Sequence, residues 1–158
     1  MKPEPEQAPQ PKLKKKKKLK IGWQECCALP ALGVAKIHAK VDTGAKTSAL
    51  HANRIEAFSK AGKPYLRFQV YPHQFDQEAL VVCEAEISDQ RFVTNSGGQK
   101  ELRYVIKTLL VIGKKSWEIE LTLTDRTPMN FRMLLGREAL KRRVLINTGR
   151  RYLQGHRA

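Results

Sequence analysis

Cysteine is scarce in this chain: three residues in 158, at positions 26, 27 and 83. An odd number with two neighbours does not make a disulfide framework, and a reducing compartment fits. Cys26-Cys27 also lacks the loop that a zinc site needs between its ligands. All three read as core or surface thiols. The four histidines, His38, His51, His73 and His156, form no His-Glu-x-x-His pattern, and no pair has helical ligand spacing. No metal site is expected. A Gly-rich loop ending in Lys-Ser/Thr is missing too, so no ATP cradle and no cofactor is expected. No apolar run approaches the ~20 residues of a membrane span. The lysine run near the start leads into Ile21-Gly22-Trp23-Gln24-Glu25, which is no signal-peptide apolar region. A cytoplasmic protein without membrane association is the expectation.

Negative charge is also in short supply: 15 acidic residues stand against 30 basic ones, a net charge of +15. The excess lies at the ends. Residues 1–20 hold eight Lys and two Glu, and residues 137–158 hold seven basic residues and one acidic. The stretch between them is close to balance. Ends of this kind attract polyanions such as RNA, a ribosomal surface or an acidic peptide. Residues 1–20 have almost nothing to bury, and Lys14 to Lys18 repel one another, so they read as a disordered tail. It could tether the protein to nucleic acid or only solubilise it. A globular domain is expected over residues 21–158.

Within that domain the dominant signal is alternation. Residues 34–41 place Ile37, Ala39 and Val41 opposite His38 and Lys40. Leu66, Phe68 and Val70 alternate with polar residues, as do Val81, Cys83 and Ala85. Trp117, Ile119, Leu121 and Leu123 alternate with Glu118, Glu120, Thr122 and Thr124. Residues 48–52 and 144–146 read as short strands and 102–112 as a long one. Residues 53–63 read as a loop or short helix stopped by Gly62, and 94–99 as a hairpin tip. Only 137–143 looks helical. Many short strands with glycine turns and one late helix predict an all-β domain, a small closed barrel rather than a βαβ sheet.

Two stretches carry chemistry. Strand 34–41 runs into Asp42-Thr43-Gly44-Ala45-Lys46-Thr47. A carboxylate at the end of a buried strand is costly unless it is paired or used. Thr43 can bond locally and Gly44 permits a tight turn. Far down the chain, Met133-Leu134-Leu135-Gly136-Arg137-Glu138 is an apolar strand, a glycine and a helix start. Each stretch alone suits an ordinary turn or junction; the two in this order are far more specific.

Together these motifs resemble the retropepsin fold of the aspartic proteases. The fuller pattern, Asp42 to Ala52, then Asp125-Arg126 before Met133 to Arg137, is similar to the bacterial and archaeal retropepsin-like peptidases often labelled ATP-dependent zinc proteases. The resemblance covers about residues 21–150. It implies an acid-protease barrel with one short C-terminal helix. Members of that family occur alongside ligases that add glutamates to a ribosomal protein.

The resemblance assigns catalysis to Asp42, with Thr43, Gly44 and Ala45 as its loop. Thr43 would bond across a dimer axis, and Gly44 and Ala45 would face substrate. Leu134, Leu135 and Gly136 would form the floor under the loop, with Arg137 beside them. Gly97 and Gly98 would tip a flap over the substrate. With one Asp-Thr-Gly per chain, a two-fold homodimer would supply the pair of carboxylates. Retroviral enzymes carry an acidic residue where this chain has Lys46, so Arg137 needs another partner, with Asp125 or a terminal carboxylate as candidates. Lys46 would in turn favour an acidic substrate, such as a polyglutamate tail. His51 is the histidine best placed for a role, although a packed strand histidine is the simpler reading. The competing expectation is a catalytically silent barrel that binds RNA or the ribosome through its basic ends. Aromatics do not interleave with those ends; only Tyr152 lies near.

Overall fold

The computed structural model describes residues 17–73, 79–95, 97–125 and 131–155. The first sixteen residues of the expected tail, with Asp76, Ser96, Arg126 and His156, lie outside the described residues. Twelve strands and one short helix follow in chain order: β1 Leu19–Gly22, β2 Gln24–Leu29, β3 Val34–Val41, β4 Ser48–His51, β5 Asn53–Lys60, β6 Lys63–Val70, β7 Val81–Glu86, β8 Asp89–Thr94, β9 Lys100–Ile112, β10 Lys115–Thr124, β11 Met133–Leu135, α1 Arg137–Leu140 and β12 Val144–Asn147. No described helix is long and apolar enough to cross a membrane.

Six strands close into a barrel in the order β10, β4, β11, β3, β2 and β9, and the β9–β10 hairpin shuts the ring. The all-β fold read from alternation is the fold observed. Closure removes the sheet edges that an open β-sheet would expose. Inward side chains fill the barrel: Ile37 and Ala39 from β3, Leu50 from β4, Ile106 and Leu110 from β9, Ile119 and Leu121 from β10, Met133 and Leu135 from β11. Leu66, Phe68, Val70, Cys83 and Ala85, from the separate sheet β5-β6-β7, join the same core. Cys27 and Cys83 are buried and Cys26 is half-buried, all three as free thiols. Burial pushes the Cys83 thiol up to about 11.

One element differs from the sequence reading. Residues 53–60 are neither loop nor helix but strand β5, joined to β6 by a two-residue turn at Ala61-Gly62. Both turn residues have positive φ, 50° and 78°, the geometry of the mirror-image turns that suit the right-handed twist of a hairpin. Asn or Asp usually announces that turn, and here Ala stands in its place. As the edge of its sheet β5 buries no residue fully, so it has no alternation to read.

The chain ends are tied together. β1 pairs in parallel with β12, beginning two residues before the composition turns globular at Ile21. Glu25, fully buried, accepts the backbone N–H groups of Gly22, Leu153 and Gln154, each at 2.9 Å. A buried carboxylate held by three N–H donors fastens the C-terminal segment to the start of the barrel. Tyr152 closes the same corner: its hydroxyl accepts from Gln24 Nε2 and lies 2.8 Å from His38 Nδ1, with the two rings edge to face. It is built into the fold instead of offering a stacking platform.

Candidate active site

The Asp42 loop leaves β3 as that strand runs parallel to β11, with Val41 opposite Leu135. Asp42 N–H donates to the Leu135 carbonyl at 2.9 Å, and Ala45 N–H returns to the Asp42 carbonyl at 3.2 Å. Gly44 N–H donates to Asp42 Oδ1 at 3.0 Å, so the loop's own backbone aims the carboxylate. Beneath, Gly136 N–H donates to Ser48 Oγ at 3.0 Å, and the next two amides, of Arg137 and Glu138, reach the Ala45 and Lys46 carbonyls at 2.8 and 3.0 Å. Leu134, Leu135 and Gly136 therefore lie directly under the Asp loop. Arg137 donates from its guanidinium to the Thr43 carbonyl at 2.9 Å. It makes no ion pair with Asp125; the chain terminus lies outside the described residues. Thr43 and Gly44 themselves are exposed.

A cleft of about 340 Å³ opens over the loop. Asp42, Gly44, Ala45 and Thr47 form one side, and Val93, Thr94 and Asn95 from the end of β8 form another. The β8–β9 hairpin thus leans over Asp42. Its tip is ordered by Asn95, whose side-chain oxygen accepts from Gly97 N–H at 2.9 Å and Gln99 N–H at 3.1 Å. Gly97 and Gly98 sit at the exposed tip and do not line the cleft. Asp42 is the one carboxylate in the lining among the described residues.

Lys46 points elsewhere. It lines an adjoining cleft of about 400 Å³ together with Arg91, Glu118, Glu120 and Glu138. Three carboxylates against two cations make that space a poor host for a substrate acid. The structure places Lys46 in this cleft and not in the lining of the Asp42 cleft. The cation in the lining of the Asp42 cleft is Arg103, which sequence reasoning missed. Strand β9 carries Arg103 in phase with buried Val105, while Leu102 is 50% exposed. An apolar residue at 102 suggests the opposite phase. The available signal was the period-two link from Arg103 to Val105.

No group of three His, Cys, Asp or Glu gathers as a metal site among the described residues. His38 bonds Tyr152, and His51 sits on β4 beneath the barrel wall. His51 is buried, with Arg132 Nη1 3.4 Å from its Nδ1 and no partner on Nε2 among the described residues. Burial and then the Arg132 charge hold its pKa below the ordinary 6.5, against a smaller opposing pull from Asp125. Neutral His51 therefore favours the fold above about 6.5, and that contribution fades as pH falls through its depressed native value, because the unfolded chain takes the proton first. Urea midpoints of wild type should fall on acidification over that window, and His51→Gln should remove part of the slope. Identical slopes in the two proteins would contradict the assignment.

The family model described as RimB-like, retropepsin-like aspartic endopeptidase RimB, matches residues 20–157. Curated relatives are named probable alpha-L-glutamate ligases. The one from Shewanella pealeana is 42% identical over 140 residues, covering 89% of this chain and 31% of that protein. The one from Desulfotalea psychrophila is 46% identical over 127 residues, 80% and 27% respectively. The chain spans under a third of the length of these relatives. Among solved structures, Lpg0085 of Legionella pneumophila, a protein of unknown function, superposes with a TM-score of 0.71 at 27% identity, covering 87% of this chain and 99% of that one.

Proposed function

Because this chain belongs to the RimB-like family of retropepsin-like aspartic endopeptidases, we propose that it hydrolyses peptide bonds as a two-fold homodimer, on an acidic protein segment. One observation carries the reading: the carboxylate of Asp42 stands in a cleft, aimed by its own loop, with no second carboxylate in the lining. An aspartic mechanism needs two carboxylates sharing one proton. Like charges about 3 Å apart cannot both ionise, so the pair holds one proton and titrates as a unit. A second chain, docked through the exposed Thr43-Gly44 turn, supplies the missing Asp42. The ionised partner takes a proton from water, whose oxygen attacks the peptide carbonyl. The protonated partner gives its proton to the carbonyl oxygen. Breakdown of the resulting tetrahedral diol to acid and amine completes the hydrolysis.

The net charge of +15 favours an acidic substrate. The relatives' name, a glutamate ligase, refers to the same amino acid chemistry, although those proteins extend far beyond the segment this chain matches. A second reading rests on a separate observation. β1–β12 pairing brings Lys17 to the C-terminal basic segment, where Lys17, Lys115, Arg142 and Arg143 gather around Trp117 with no carboxylate in the lining among the described residues. Arg143 stands over the Trp117 ring, 5.7 Å from its centre. Such a site suits the phosphates of RNA, and would serve a silent barrel equally well.

The test is hydrolysis of a glutamate-rich protein by wild type and Asp42→Asn, with and without a chelator. Activity that survives the chelator and drops roughly 1000-fold in Asp42→Asn is the expected result. Loss of activity to the chelator would overturn the aspartic mechanism. No hydrolysis by either protein, with salt-sensitive retention of RNA, would favour the second reading.

A further inference from the structure

Arg103 is 9% exposed and lines the Asp42 cleft. A buried guanidinium is expensive unless its donors are used. Nη2 donates to Glu101 Oε2 at 3.0 Å, and Nη1 lies 3.4 Å from Thr122 Oγ1. Glu101 is itself held, with Thr124 Oγ1 donating to its other oxygen at 3.1 Å. Thr122 Oγ1 in turn donates to the Ser48 carbonyl at 3.1 Å, in the residue whose hydroxyl supports Gly136. The guanidinium is thus fixed at two of its nitrogens by the barrel wall that also carries the Asp loop. Its Nε–H has no partner among the described residues.

The position is unfavourable for folding in a second way. Arg103 lies directly opposite Arg91 across the β8–β9 ladder, and like charges in facing positions repel. Each is balanced separately, Arg91 by Asp89 and Glu120, both at 2.9 Å, and Arg103 by Glu101. A neutral residue at 103 would avoid both costs. What only arginine offers there is a rigid, permanently charged fork with more donors than Glu101 and Thr122 use, on a side chain that lines the cleft.

We propose that Arg103 is a specificity-determining residue. Its positive charge and unused guanidinium N–H groups receive the side-chain carboxylate of a substrate glutamate or aspartate held in the same cleft as Asp42. This rests on the peptidase reading above and adds the residue that selects the acid. Glu101 acts as a positioning residue, fixing the guanidinium plane through its bond to Nη2.

The experiment compares kcat and KM for a glutamate-containing peptide and its glutamine isostere, in wild type, Arg103→Lys, Arg103→Met and the double variant Arg103→Met/Glu101→Met. Wild type is expected to favour the glutamate peptide by about 10- to 100-fold in kcat/KM. Arg103→Met should bring that ratio close to one, mainly through KM for the glutamate peptide. Arg103→Lys, which keeps the charge but not the planar fork, should retain part of it. If Arg103→Met fails to fold, the double variant removes the Glu101 carboxylate together with the guanidinium and reports the same ratio. Equal wild-type kcat/KM on the two peptides, or discrimination that persists in Arg103→Met or the double variant, would overturn the role of Arg103 and leave the peptidase standing. Hydrolysis of neither peptide by wild type would overturn both.

Discussion

Wild-type chains mixed with an excess of Asp42→Asn chains are expected to lose activity per wild-type chain. The cause is the single carboxylate in each cleft. A mixed dimer holds Asp42 on one side and an amide on the other. The amide neither ionises nor donates an acidic proton, so the proton-sharing pair no longer forms. With random pairing at a ninefold excess of variant, only about one wild-type chain in ten finds a wild-type partner. Activity per wild-type chain should then fall about tenfold. The measurement is hydrolysis after co-refolding or co-expression at several ratios. A decline with the square of the wild-type fraction supports a shared site. Activity that follows the wild-type fraction linearly would mean that each chain works alone, and the two-fold reading would be abandoned.

Gly136→Ala is expected to be the most damaging small substitution at the site. Gly136 has φ −88°, so any residue could adopt its backbone conformation. The constraint is steric. A Cβ there would stand 2.8 Å from the Thr47 carbonyl carbon and 2.9 Å from the Ala45 and Lys46 carbonyl oxygens. All three are backbone atoms, which cannot rotate aside. The Asp loop would have to lift, and the Gly136, Arg137 and Glu138 amides would lose acceptors that now lie 2.8 to 3.0 Å away. A cost of about 2–4 kcal/mol follows from overpacking with broken hydrogen bonds. Activity should fall further than stability, because the lifted loop is the one that carries Asp42. Ser48→Ala, which removes one acceptor and adds no atom, should cost only about 1 kcal/mol. Urea denaturation of both variants checks the order. A Gly136→Ala protein as stable as Ser48→Ala would show that the loop adapts and that close approach is not the reason for glycine.

Legibility followed burial. Strands β3, β6 and β10 each bury one face, so their alternation survives in the residues, and β3 was read to its observed ends. Strand β5 buries nothing fully and carries a bulge between Asn53 and Glu56, and it was misread. The two-part motif placed Asp42 over Gly136 because a strand-turn and a strand-glycine-helix junction are local patterns. The cleft that Lys46 lines is not legible from its neighbours in the chain, because it depends on which way the loop faces. That is set by β10 and α1, whose Glu118, Glu120 and Glu138 surround it.

The residues by themselves determined the β class, the Asp-Thr-Gly turn, the uneven charge and the small number of carboxylates. These are properties of composition and of neighbours within a few positions. Tertiary structure alone decided what meets across the barrel. It set Arg103 on β9 in the same cleft as Asp42 at the end of β3, gave Arg137 the Thr43 carbonyl as its acceptor, and brought Lys17 and Arg143 to Trp117. The physical reason is closure. Once the β9–β10 hairpin completes the ring, strands distant in sequence share one interior and one cleft, and a side chain's partners are chosen by register, not by its neighbours in the chain.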